Sequence, residues 1–331
     1  MMPGQQLSHQ APHQSVLLRE VVAALSPTDY AIYLDATFGN GGYSRALLEA
    51  AVCKVVAIDR DPDAIQRGQP MLAEFAGRFS LIKGCFSQMA ELLGPEIRLA
   101  GAAFDLGVCS TQLDQPERGF SFRNEGPLDM RMSKNGESAA DVVMQADERM
   151  LAQILWNYGE EKAARRIAKA IVNARKDSPI TTTSQLAAAI HAVMPAKQPG
   201  RIDPATRSFQ ALRIYINREL DELTDGLAAV EAMLQPGGIL AVVSFHSLED
   251  RIVKRFLMGR SQAAARPSRH MPDIDGPAPT FELLSRKAVV PSAGEQAENT
   301  RARSAKLRVA CRTTAPAIAA NDDTPHRQGR S

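Results

Sequence analysis

An α/β fold on a largely parallel sheet, with a helical unit inserted late in the sheet, is what this sequence predicts, and three observations carry that reading. Short strand-like runs alternate with helix-period segments through the first third of the chain. A glycine-rich turn joins the first of those runs to a helix. The alternation then stops for about 130 residues, where a βαβ unit takes roughly 30, before a last buried run.

The elements follow in order. Leu18, Val21, Val22 and Leu25 fall at helical offsets, and Pro27 ends that first helix. Strands are expected at 32–37, 54–59, 78–83 and 102–108, with helices at 42–51, 62–75 and 88–93 between them. A fifth strand, 238–244, follows the turn residues Pro236, Gly237 and Gly238. One amphipathic crossover helix is expected over 209–234, and another helix over 248–257. Residues 112–211 carry helical patterns at 147–156, 160–176 and 183–193 with few strand signals. They read as an inserted helical domain, which makes the core discontinuous, 15–111 and 212–312. Residues 1–14 and 313–331 read as flexible tails, and 259–280 as a loop.

Composition narrows the function classes. At 44% apolar and 23% charged, the chain is globular and not wholly disordered. Thirty-nine basic against 37 acidic side chains give +2, so any nucleic-acid contact has to be a local footprint and not a general coat. No apolar run reaches the roughly 18 residues of a membrane span, and the start lacks the basic and apolar regions of a secretion signal. A cytoplasmic protein with no membrane partner is the expectation. Cys53, Cys85, Cys109 and Cys311 are isolated, so no metal site is expected.

The strongest local signal runs from Asp35 to Ser44 and contains Gly39, Gly41 and Gly42. It lies where doubly wound sheets bind nucleotide-type ligands, and glycines there let backbone amides approach a ligand. Asp59 closes the second strand 18 residues after Gly41, where an acid can accept both ribose hydroxyls. The spacing is not the GxGxxG of a pyrophosphate site, and Asp35 ahead of the loop favours a cationic ligand with an amino-acid end. Together these favour S-adenosylmethionine over a dinucleotide. Phe86 is a candidate to flank the adenine or to sit in the core. Asp105 and His246 close the fourth and fifth strands and face the same crevice. Asp105 is the candidate to hold an acceptor amine or the cofactor's amino group; His246 is a proton acceptor or a structural histidine.

Over nearly its whole length the chain also resembles the bacterial 16S ribosomal RNA cytosine-N4 methyltransferase family. The resemblance rests on 13–21, 35–44, Ala57-Ile58-Asp59-Arg60-Asp61-Pro62, 105–114, 117–122, 126–132, Tyr158-Gly159-Glu160-Glu161, 205–211, 244–251 and Arg301-Ala302-Arg303-Ser304. It implies a class I S-adenosylmethionine-dependent methyltransferase, Rossmann-like, acting on one decoding-region cytosine of the assembled small ribosomal subunit. DNA is not an expected partner. The cofactor contacts it implies are Gly41, Gly42, Tyr43, Asp59, Phe86, Asp105 and Gln112. Two positions depart from the family pattern: Tyr43 stands where His is usual, and Cys109-Ser110-Thr111-Gln112 where Ser-Ser-Pro-Gln is usual.

For RNA, the candidates are Lys162, Arg165, Arg166 and Lys169 on one helix, together with Arg118, Arg123, Arg131 and the basic stretch 301–312. Phe120 and Phe122 are candidates to stack on a base or to fill the core, and Asp129 and Arg131 to line a base pocket or to pair. Other readings are an N-methyltransferase for DNA, other RNA or a small molecule, and a non-catalytic RNA-binding assembly factor. The fourth strand lacks the Pro-Pro-aromatic element usual in DNA cytosine-N4 enzymes, and Asp59 and Asp105 in place argue for catalysis.

Overall fold

In a computed structural model of the chain, the structure describes residues 15–195, 202–261 and 278–318. The 1–14 tail and most of the 259–280 loop and 313–331 tail fall outside the described residues. Seven strands form one sheet in the order β3-β2-β1-β4-β5-β7-β6. They are β1 Ile32–Asp35, β2 Lys54–Asp59, β3 Phe79–Lys83, β4 Leu99–Asp105, β5 Leu234–Ser244, β6 Phe281–Leu283 and β7 Lys306–Arg312. The first five run parallel, and β7 is antiparallel to both its neighbours. The order reverses between β1 and β4, so a crevice opens at their carboxyl ends.

The register sets what meets there. Asp35 pairs with Ala57 and Ala103, Asp59 with Lys83, and Asp105 with Val243. The residues just beyond β1, β2, β4 and β5 therefore share one edge of the sheet.

β6 and β7 go beyond the expected strands. The stretch 301–312 looked like a basic surface cluster, but β7 alternates, burying Leu307 and Val309 while Lys306 and Arg308 bond Asp250 at 3.0 and 2.7 Å. Arg312 is buried, donating to the carbonyls of Glu231 and Thr280. Lys306, Arg308 and Arg312 are thus committed to partners within the chain.

The crossover helix expected over 209–234 is two helices, Thr206–Asn217 and Glu219–Met233, separated by Arg218 at φ 50°. Asn217 explains the stop. Its amide donates to the carbonyls of Met130 and Arg213 and accepts from the Met132 amide, trading helix continuation for contacts with a distant loop. A further helix, Ala139–Gln145, has a capping box in which Ser138 and Asp141 exchange bonds. It is short, and no periodicity was legible there.

Apolar side chains bury in three clusters. Two cover opposite faces of the sheet, one under the helices Leu18–Leu25 and Gly42–Ala50, the other under Glu219–Met233 and Ser247–Ser261. The third lies among the helices between Phe120 and Leu212. There Gly159 lets the helices Glu148–Gly159 and Thr206–Asn217 touch; a Cβ at that position would sit 2.8 Å from the Arg207 carbonyl oxygen. Among the described residues no helix is long and apolar enough to cross a membrane.

Candidate active site

The crevice encloses about 360 Å³ and is lined by the loop after β1, the ends of β2 and β4, the segment after β5, and Asn299, Arg301 and Ser304. Its base is the Asp35–Ser44 turn. Asp35 is buried, its carboxylate accepting from the Ser44 hydroxyl at 2.7 Å and from the Ser44 and Thr37 amides. Burial raises its pKa against these hydrogen bonds. Asp35 thus folds the loop and does not itself line the cavity, while its charge acts on Asp59 and Asp105, which do.

Glycine is required at two of the expected positions for packing reasons. Gly41 lies at φ 76° with Phe38 where a Cβ would go, and a Cβ on Gly42 would meet the Ser15 hydroxyl at 2.1 Å. Neither lines the cavity; Gly39, Asn40 and Tyr43 do. The Tyr43 hydroxyl donates to the Val16 carbonyl at 2.5 Å, so this phenol ties the segment ahead of the first helix to the loop. Its pKa is raised, by burial first and by Asp105 and Asp35 after it.

Asp59 sits where expected. Its two carboxylate oxygens accept the amides of Gly39 at 2.7 Å and Asp61 at 2.8 Å, fixing it between β2 and the glycine loop. Burial pushes its pKa up to about 6 despite these bonds. Phe86 packs edge-on against Phe104 at 5.4 Å, with Gly226 making room for it. It lines the cavity as well. Gln112 is buried and internally committed, donating to Asp61 at 2.7 Å and accepting from the Cys109 amide at 3.0 Å.

Asp105 differs from the others. Its Oδ1 is buried with no hydrogen-bond partner among the described residues, which is costly for a carboxylate unless a ligand supplies a donor. Burial, then Asp35 and Glu249, push its pKa up to about 8. The Asp105 amide donates to Thr37 Oγ1 at 2.6 Å, which anchors the strand end to the loop after β1.

His246 faces Glu249, three residues on. Its Nδ1 accepts the Glu249 amide at 3.4 Å, and its Nε2 lies 3.1 Å from Glu249 Oε1, without the alignment of a hydrogen bond. Glu249 Oε2 accepts the amides of Phe245 and His246 at 2.8 and 3.2 Å. Burial raises the Glu249 pKa, but His246 and Arg213 outweigh it and hold the group below the usual carboxylate range. Arg213 in turn forks onto Glu219 through two bonds of 2.9 Å. Glu219, His246 and Glu249 are grouped closely enough to share a cation, and the Arg213 guanidinium already supplies positive charge beside them. Arg213 and Glu219 were not legible as site residues, because the helix break at Arg218 brings them together. Glu249, three residues after His246 at a helix start, did carry a capping-type signal.

Some residues expected to face RNA are elsewhere. Arg118 is buried, reaching Asp61 and Asp63 at 2.9 and 2.8 Å and two backbone carbonyls. Phe120 is buried, and Phe122 packs on Phe209 at 4.7 Å. Asp129 and Arg131 pair with each other. Arg301 does reach the crevice wall, bonding Asp114 at 3.0 Å.

Comparison with known proteins places this geometry. Residues 10–313 match the model of the MraW methylase family. The chain is 57% identical over 310 residues to "Ribosomal RNA small subunit methyltransferase H" of Paramagnetospirillum magneticum, covering 92% of this chain and 97% of that one. The protein of the same name from Azorhizobium caulinodans is 54% identical over 330 residues, covering 97% and 94%. A crystal structure described as a putative rRNA-methylase from Clostridium thermocellum aligns with TM-score 0.43 and 13% identity over 91% of this chain and 98% of that one. With one family model spanning almost the whole chain, its sheet and its crevice alike, this protein belongs to the MraW methylase family.

Proposed function

We propose that the protein transfers a methyl group from S-adenosylmethionine to the exocyclic N4 of one cytosine in the decoding region of 16S rRNA, within the assembled small ribosomal subunit. The observation that carries this reading is the buried Oδ1 of Asp105 at the end of β4, without a hydrogen-bond partner among the described residues, in a crevice that Asp59 also lines. A site for a cationic donor and an amine acceptor needs an anion there, and two relatives above 50% identity are named as small-subunit rRNA methyltransferases.

The residues present suit that donor. Asp59 would take the ribose hydroxyls, Phe86 the adenine face, and the main chain from Gly39 to Tyr43 the methionine end. Gly41, Gly42 and Gln112 would act by shaping the loops that do so. When bound, the donor supplies an electrophilic methyl carbon. The amine's lone pair is delocalised into the pyrimidine ring, and its nitrogen must shed one proton on methylation. Asp105 accepts an N–H of the amine, orients the lone pair and takes that proton; orientation of this kind contributes several kcal/mol. Glu249, beside the Arg213 and Glu219 pair, holds His246 as the next station for the proton. The helical unit, 112–211, is assigned to substrate recognition. Cytosol is the compartment that this substrate requires.

The test is nucleoside mass spectrometry on small subunits from cells with and without the protein, paired with labelled methyl transfer in vitro. N4-methylcytidine that depends on the protein is expected, with assembled subunits labelled more than naked RNA. Equal labelling of subunits, DNA and free cytidine would discard the substrate assignment. Separately, Asp59→Ala is expected to weaken donor binding by about tenfold or more, since charge-assisted hydrogen bonds are lost. Calorimetry measures it, and unchanged affinity removes Asp59 from the ribose.

A further inference from the structure

We propose a second hold on the RNA, resting on the reading above: an unpaired segment flanking the target lies in the groove between the helices Glu148–Gly159 and Ala164–Asp177. One base stacks on Trp156, and the phosphates lie on Lys162, Arg165 and Arg166. Trp156 is 60% exposed and is the only tryptophan in the chain. A single exposed apolar side chain is ordinary. This one lies in a groove with Arg149, Lys162, Arg165 and Arg166 against one carboxylate, Glu148. Among the described residues Arg149, Lys162 and Arg165 form no ion pair, so their charge is free for a polyanion. A flat π surface ringed by uncompensated cations suits single-stranded nucleic acid, where any base can stack while the backbone is held electrostatically.

The groove is also joined to the crevice. One helical turn after Trp156 comes Glu160, in left-handed conformation at φ 47°. Its carboxylate accepts the Ser247 hydroxyl at 2.6 Å and an Arg251 N–H at 2.8 Å. Ser247 follows His246 directly, so these bonds fasten the end of the tryptophan helix to the crevice mouth. A strand whose target base enters the crevice has the groove beside it.

Trp156 provides its own reporter. Full-length protein titrated with a synthetic single-stranded decoding-region RNA is expected to show saturable quenching of tryptophan emission. Trp156→Ala should weaken binding about tenfold while Trp156→Phe keeps it near the original value. Lys162→Ala with Arg165→Ala should flatten the slope of log K against log salt by roughly 1.4, at about 0.7 for each phosphate no longer neutralised. That double variant should raise KM for small subunits and leave kcat and donor affinity alone. Unchanged emission at RNA saturation, or an unchanged salt slope, overturns the proposal. So does an emission change with small subunits but none with protein-free RNA, which would assign the groove to a ribosomal protein. A wild-type protein that quenches with RNA but methylates nothing would instead overturn the proposed activity and leave the groove standing.

Discussion

Replacing Asp105 by Asn is expected to lower methyl transfer to small ribosomal subunits by about 10²–10³-fold, in a protein that still folds. The shape of the side chain is kept; what goes is the capacity to carry charge and take a proton. The same substitution has a pH signature that a merely structural residue would lack. In the ligand-free protein Asp105 is pushed up to about 8, chiefly by burial, so it is mostly protonated at neutral pH. A cation placed in the crevice favours the carboxylate and expels that proton. Donor affinity should therefore rise with pH up to about 8 and level off above it. Calorimetry in buffers of different ionisation enthalpy should detect the released proton near pH 7, and Asp105→Asn should abolish the release. A pH-independent affinity in the unaltered protein would show that Asp105 does not face the donor.

Stability responds in the same window. A carboxyl with a raised pKa in the folded state costs stability as pH climbs from its unfolded value, 3.8, toward about 8. The melting temperature of Asp105→Asn relative to the unaltered protein should thus be several degrees higher at pH 8.5 than at pH 4.5, at roughly 2 °C or more per kcal/mol. Equal differences at the two pH values would place the carboxyl in water.

Arg118→Leu is expected to destabilise the fold by about 3–5 kcal/mol, the cost of leaving a buried charge without its partner. The guanidinium joins Asp61 and Asp63, beyond β2, to the carbonyls of Arg131 and Met132, both at 3.0 Å. Asp61 is 1% exposed and would keep only the neutral donors Gln112 and the Asp63 amide, the Arg118 clamp being its one cation within ion-pair distance among the described residues. Because Gln112 also caps the turn after β4, loss of Arg118 should loosen the crevice as well as the helical unit. Urea unfolding measures the first effect and donor affinity the second. A change below about 1 kcal/mol would mean that water replaces the guanidinium without cost. Arg118→Leu combined with Asp61→Leu should recover part of the loss, since no charge is then stranded.

The five parallel strands, the glycine turn, Asp59 and Asp105 were all readable along the chain. Each is announced by neighbours: a short, largely apolar run, a turn that only glycine permits, an acid where the run ends. β7 was hidden because the positions alternating with its buried ones are Lys306 and Arg308, which look like a surface cluster until Asp250 is found beside them. Arg118 looked like a hand for RNA for the same reason. Whether a cation faces solvent or a buried carboxylate 57 residues away is invisible to local pattern. Likewise, the break at Arg218 depends on a loop around Met130 claiming Asn217, and only that break brings Arg213 onto Glu219 beside His246. Periodicity and turn chemistry thus settle which elements form and which face of each is apolar. The partner of a charged side chain is settled by chain closure, which brings distant segments together at low dielectric, where an unpaired charge cannot stay.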